Sequence, residues 1–111
     1  MSAPAAPVFA LPAEVTFAAV PALDAEVARI VGDDVRGLVV DLAATQFLCS
    51  GGLGMLVKWG KRLADRGGSL VLARPQSPVQ KLLRAVGLDA VLPAFADLAD
   101  AKARAAKPLH G

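Results

Sequence analysis

The stretch LVVDLAATQFLCSGGLGMLVKWGKRLADRGGSLVLA, residues 38–73, decides the fold. Leu38, Val39, Val40, Asp41 and Leu42 make a short apolar, β-branched run after the turn-like GDDVRG at 32–37. A run of this length and composition reads as a strand buried on both faces. A brief loop leads to Ser50 and its glycines, and a helix follows to about Arg66 with an apolar stripe of Leu53, Leu56, Val57, Gly60, Leu63 and Ala64. Gly67 and Gly68 stop that helix, and Leu70–Ala73 forms the next strand. Strand, helix and strand in this order are a βαβ unit, so the fold class is α/β with at least one parallel crossover.

Outward from this unit the same signals continue. Val8 to Phe17 alternates loosely and is divided at Pro12 and Ala13, which predicts two short strands or an irregular edge hairpin. Pro21 suits a first helical turn, and Leu23, Val27, Ile30 and Val31 recur at helical spacing up to Gly32. After Ala73, Ser77 is the expected N-cap of a helix carrying Val79, Leu82, Leu83 and Val86 and ended by Gly87. Val91 to Phe95 is a last short strand crossed by Pro93, and Asp97 caps a terminal Ala-rich helix. The expected organisation is a tail at 1–7, one domain at 8–106 and a tail at 107–111 that carries His110.

Composition sets the outer limits. A chain of 111 residues, 55% of them hydrophobic and 20% charged, can bury one core and is too rich in apolar residues to be wholly disordered. The net charge of +2 comes from 12 basic and 10 acidic residues that are interspersed, so nucleic acid is not the expected partner. A single Cys permits no internal disulfide and fits a reducing compartment. The N-terminal MSAPAAP lacks the pattern of a secretory signal, and Asp41, Gln46 and Gly51-Gly52 interrupt the most apolar window, so a cytoplasmic protein without membrane insertion is expected.

The segment FLCSGGLGMLVKWGK, residues 47–61, joins the end of a strand to the start of a helix, where open α/β sheets gather their functional groups. Ser50 has two readings there. Its hydroxyl can cap the helix by accepting from an N2 or N3 amide, or it can be a phosphorylation site, since free amides and the helix dipole stabilise a phosphate at that end. Gly51, Gly52 and Gly54 leave the hydroxyl accessible, or simply permit a tight turn. Catalysis has little to build on: His110 is the sole histidine and there is no base-and-orienter pair for Ser50. A phosphate-binding GxxxxGK[ST] loop is absent, Cys49 and His110 are the only soft ligands, and no metal or other cofactor is expected. Cys49 reads as a small hydrophobe whose reactivity the nearby helix start could raise.

Residues 39–101, from VVDLAATQFLCSGGLGMLV to VGLDAVLPAFADLADA, resemble the STAS domain of bacterial anti-sigma factor antagonists. The family segment reads hydrophobic strand with Asp, short loop, Asp-Ser-Ser-Gly-Leu-Gly, then helix. The resemblance extends over about residues 9–101, with LPAEVTFAAVPAL a weaker match in which Ala13 and Thr16 replace Gly and Asp. It implies a single STAS-like domain, a small mixed β-sheet flanked by about four helices, with no catalysis of its own. It further implies partner switching: the unphosphorylated antagonist binds a serine kinase that is also the anti-sigma factor, and phosphorylation of the loop serine, here Ser50, breaks the complex. Cys49 stands in place of the family's Asp and Gly51 in place of the second Ser or Thr. Ser-Gly-Gly-Leu at 50–53 is also similar to the Thr-Gly-Gly-Leu loop of the STAS subunit of the Mla phospholipid transporter, which implies an ABC ATPase as partner. Chemotaxis-associated STAS modules are a third resemblance.

Helical geometry adds a possible docking surface. At about 100° per residue Met55, Trp59, Arg62 and Arg66 project away from the Leu53–Leu56–Leu63 stripe. An indole there either serves a partner, as Trp and Arg do at binding hot spots, or is covered by a neighbouring element. The expected partner-binding residues are therefore Cys49, Ser50, Gly51, Gly52, Met55, Trp59 and Arg62.

Overall fold

The computed structural model of the protein describes residues 6–107. Residues 1–5 and 108–111, which include most of both expected tails and His110, lie outside the described residues. Six strands and four α-helices follow one another: β1 (Val8–Ala10), β2 (Glu14–Val15), α1 (Val20–Val31), β3 (Gly37–Asp41), β4 (Phe47–Leu48), α2 (Ser50–Asp65), β5 (Ser69–Ala73), α3 (Ser77–Ala85), β6 (Ala94–Phe95) and α4 (Leu98–Ala106). Strands β1, β3, β5 and β6 form one sheet in that order, and β2 pairs with β4 apart from it.

The α/β fold and its four helices agree with the sequence reading, but the sheet is parallel at every pairing among the described residues and not mixed. The physical reason is the chain path. A helix lies between each of the successive main-sheet strands β1, β3 and β5, and α3 lies between β5 and β6, so every connection returns the chain to the same end of the sheet. Of the two N-terminal alternatives, two short strands or an edge hairpin, the structure has two short strands, β1 paired in parallel with β3 and β2 with β4. Ahead of β1, the Pro7 carbonyl accepts a hydrogen bond from Val39 N at 2.9 Å.

Both faces of the sheet are covered, which is why β3 and β5 read as continuous apolar runs. Leu38, Val40, Leu70 and Leu72 face a large core shared with Val27 and Val31 of α1, Leu56 and Leu63 of α2, and Val79 and Leu83 of α3. Val39, Val71 and Ala73 pack on the opposite face against Ala101 and Ala105 of α4. Gly37 is needed for that second contact, since a Cβ there would sit 2.0 Å from the Ala105 carbonyl oxygen. Each fully buried Leu contributes about 1.5–3 kcal/mol of apolar burial, and truncating Leu72 to Ala would cost about 2–5 kcal/mol through the cavity it leaves.

At α4 the cap is the expected residue, and at α3 it shifts by one. Asp97 caps α4 by accepting from Ala99 N and Asp100 N, as its position predicts. At α3 the cap is Gln76 and not Ser77, because Ser77 already has helical geometry ahead of Pro78 in the first turn. The Gln76 amide instead donates to the Ala43 carbonyl. No helix among the described residues is long and apolar enough to cross a membrane.

Candidate functional site

The start of α2 stands at the end of the sheet where β3 and β5 terminate, and the short β2–β4 ladder seats it. Val15 and Leu48, in register on that ladder, are both buried. Cys49 N donates to the Val15 carbonyl at 3.0 Å, so the residue before Ser50 is fixed to the ladder. Gly52 sits directly above these side chains: a Cβ at that position would lie 2.7 Å from Leu48 Cδ1 and 2.9 Å from Val15 Cγ1. Gly51 touches a different neighbour, its missing Cβ lying 3.4 Å from the Phe17 ring.

Cys49 is the N-cap. Its backbone is extended, and its Sγ accepts from Gly52 N at 3.3 Å. This corrects the capping reading of Ser50, which occupies the first helical position and is exposed. Among the described residues its hydroxyl makes no hydrogen bond, so it is free for an incoming group. The arrangement offers an accessible nucleophilic oxygen at the positive end of a helix of 16 residues. Two exposed aromatic rings belong to this region, Phe17 at 78% exposure, which faces Gly51, and Phe47 at 51%, just ahead of Ser50 in the chain.

Further along α2 the structure divides the expected docking residues. Met55 and Trp59 are each only 5% exposed and belong to the core, so the expectation that they project toward a partner is corrected. The cause is α1, which packs across that face of α2. Trp59 Nε1 donates to Asp24 Oδ1 at 2.7 Å, and Lys58 Nζ pairs with the same oxygen. The Lys58 hydrogen bond holds the Asp24 carboxyl below its usual range, against the opposing effect of burial, and the Trp59 bond adds to the lowering. Arg62 is exposed and lies over the Trp59 ring, 4.9 Å from its centroid. Cys49, Ser50, Gly51 and Gly52 are thus brought together at one helix end, and Arg62 lies about three turns away.

Sequence reasoning missed Phe17, because a Phe is assigned to the core by default. It also missed a second polar cluster beside the site. Asp41, at the end of β3 and 8% exposed, receives a two-pronged contact from Arg74, Nε to Oδ1 at 3.2 Å and Nη2 to Oδ2 at 2.5 Å. The Arg74 bond holds the Asp41 carboxyl below its usual range, burial opposes this, and the Ala43 amide reinforces the lowering. An Asp inside an otherwise apolar strand was the available signal, but its partner is 33 residues away.

The STAS domain family profile matches residues 3–101. Among curated proteins no significant match is found. A Thermotoga maritima structure assigned as an anti-sigma factor antagonist superposes with a TM-score of 0.80 at 17% identity, covering 90% of this chain and 88% of that one. An anti-sigma factor antagonist from Mycobacterium paratuberculosis gives a TM-score of 0.74 at 26% identity, with 90% and 85% coverage. The Bacillus cell fate determinant SpoIIAA in its phosphorylated form gives 0.65 at 19% identity, with 84% and 85% coverage.

Proposed function

The chain belongs to the STAS domain family, and from that membership we propose that it is an anti-sigma factor antagonist-like regulatory module of the bacterial cytoplasm that binds a serine kinase acting as anti-sigma factor. In this reading the module has no catalysis of its own and Ser50 is the phospho-acceptor that switches partners. The observation that carries it is the exposed Ser50 hydroxyl, left unbonded because Cys49 supplies the cap. The fold likeness to a protein known in a phosphorylated form supports it.

The switch follows from charge and solvation. A phosphate on Ser50 carries about −1.5 to −2 charges at neutral pH. Solvated at the helix start it faces free amides, so the isolated domain tolerates it. Pressed into a partner contact lined by Phe17, Phe47 and Gly51 it must shed its water, which opposes binding. Cys49, Gly51, Gly52 and Arg62 complete the surface on this reading.

The test compares Ser50→Asp and Ser50→Ala for binding to the kinase partner in extracts of the native host, together with the intact mass of the protein before and after phosphatase. Loss of binding with Asp, retention with Ala, and a phosphatase-sensitive mass on Ser50 are expected. Equal binding by both variants would defeat the proposal. Capture of an ABC ATPase with no phosphoserine under any growth condition would replace it with the transporter-type module, for which the Gly51-Gly52 pair is the motif in favour.

A further inference from the structure

We propose that Arg74 is a positioning residue for Ser50, ordering the connection between β3 and α2 through its ion pair with Asp41; the functional side of this inference rests on Ser50 being the acceptor. Arg74 is the one described non-glycine residue with a positive φ, at 53°. A side chain is disfavoured in that region and persists where its surroundings hold it there. Here the holding contacts are explicit. Arg74 N donates to the Phe95 carbonyl at 2.7 Å, and the guanidinium turns back to grip both oxygens of Asp41. The fork geometry of arginine suits this grip, and a lysine would contact it as a point charge.

Asp41 passes the constraint into the loop. Its Oδ1 accepts from Ala43 N at 3.1 Å, a turn that fixes the first residues after β3. Gln76, two residues beyond Arg74, donates to the Ala43 carbonyl. Thr45, fully buried, donates to the Pro12 carbonyl at 3.0 Å and lies 3.3 Å from that of Leu11. Gln46 N bonds the Ala13 carbonyl at 2.8 Å and Cys49 N that of Val15 at 3.0 Å. The whole run from Asp41 to Cys49 is tied at short intervals. Its first ties depend on the residues just after β5, in particular the Arg74 side chain, so Ser50 is presented on a pinned connection and not on a free loop.

Arg74→Gly is the informative substitution, because glycine accepts the positive φ while removing the grip on Asp41. Amide hydrogen exchange on the whole protein should show protection at Ala43 to Cys49 falling about tenfold, while Val39, Val40, Val71 and Leu72 keep theirs; Arg74→Lys should lie between. Unchanged exchange in the loop, or an equal loss throughout the sheet, would overturn the proposal. That arm needs no partner, so it decides on Arg74 even where Ser50→Asp leaves binding intact. With the serine kinase and ATP, Arg74→Gly should lower kcat for Ser50 phosphorylation about tenfold with KM little changed, since Phe17 and Arg62 still dock while the hydroxyl is less well presented. A kcat equal to that of the unaltered protein would also overturn it.

Discussion

Replacing Gly52 with Ala sets two opposing effects against each other at the base of the Ser50 turn. The substitution improves intrinsic helix propensity by about 1 kcal/mol. It also places a methyl group 2.7 Å from Leu48 Cδ1 and 2.9 Å from Val15 Cγ1, where carbon atoms prefer about 3.5–4.0 Å. Neither neighbour can yield easily: Leu48 is 3% exposed, Val15 is fully buried, and a β-branched side chain has few rotamers to escape into. Overpacking of this kind costs about 1–3 kcal/mol. Gly54, one half-turn later, has nothing within 4 Å of its missing Cβ, so Gly54→Ala receives the propensity gain alone. In a comparison of the two alanine variants the propensity term largely cancels, and Gly52→Ala should be less stable than Gly54→Ala by about 1–3 kcal/mol. Urea unfolding followed by far-UV circular dichroism reads the difference from the midpoints at equal m-values. Equal stability of the two variants, or the reverse order, would refute the packing assigned to the β2–β4 ladder.

Cys49→Asp, which restores the stronger cap, should stabilise the domain by about 0.5–1 kcal/mol at neutral pH in the same urea assay, and Cys49→Ala should destabilise it. Asp41 and Asp24 both have carboxyls held below their usual range, so their contribution is present above the unfolded pKa near 4 and is lost as pH falls through the lower folded values. Asp41→Asn should therefore flatten the decline in stability below about pH 4 in acid titrations of the urea midpoint, while the Asp24 contribution remains. Trp59→Phe, which removes the donor to Asp24, should cost about 1–2 kcal/mol. Because the chain has 1 Trp, the emission of the unaltered protein should be that of a buried indole and shift to the red on unfolding.

How much of this was legible in the sequence depended on whether the deciding contact was local. β3, α2 and β5 were readable because length, β-branching and glycine stops are properties of a few consecutive residues, and Asp97 announced its own cap. Trp59 was not. At about 100° per residue it lies only about 40–60° from Leu63 and Leu56, so the expectation set it too far from their stripe, and α2 is buried on two sides, by the sheet and by α1. The second side is established by Asp24, 35 residues earlier. Phe17 shows the converse failure, an apolar side chain left outside a core that is already full. Of the two readings offered for Val8 to Phe17, two short strands or an edge hairpin, the hairpin fails because each run split by Pro12 finds a distant parallel partner, in β3 and in β4. At Ser50 the family resemblance gave the position, but not which residue caps the helix.

That cap changes the physics of the proposed switch. Where the family pattern has Asp, a carboxylate already occupies the amides at the helix start, and a phosphate arriving on the next residue must share them with a like charge. Here the occupant is a thiol, a weak acceptor, at 3.3 Å from Gly52 N. The unmodified helix start is correspondingly less well satisfied, and an anion on Ser50 meets no carboxylate at position 49 in competition for the same donors. Both differences act in one direction, favouring the modified state relative to the unmodified one. On the proposed reading Gly51 would act on the partner side instead, since the missing side chain leaves the Phe17 ring open beside Ser50. In the proposed switch the two departures from the family pattern would therefore do different things to the same loop: Cys49 would alter how well a charge is held there, and Gly51 what a partner can touch when the charge is absent.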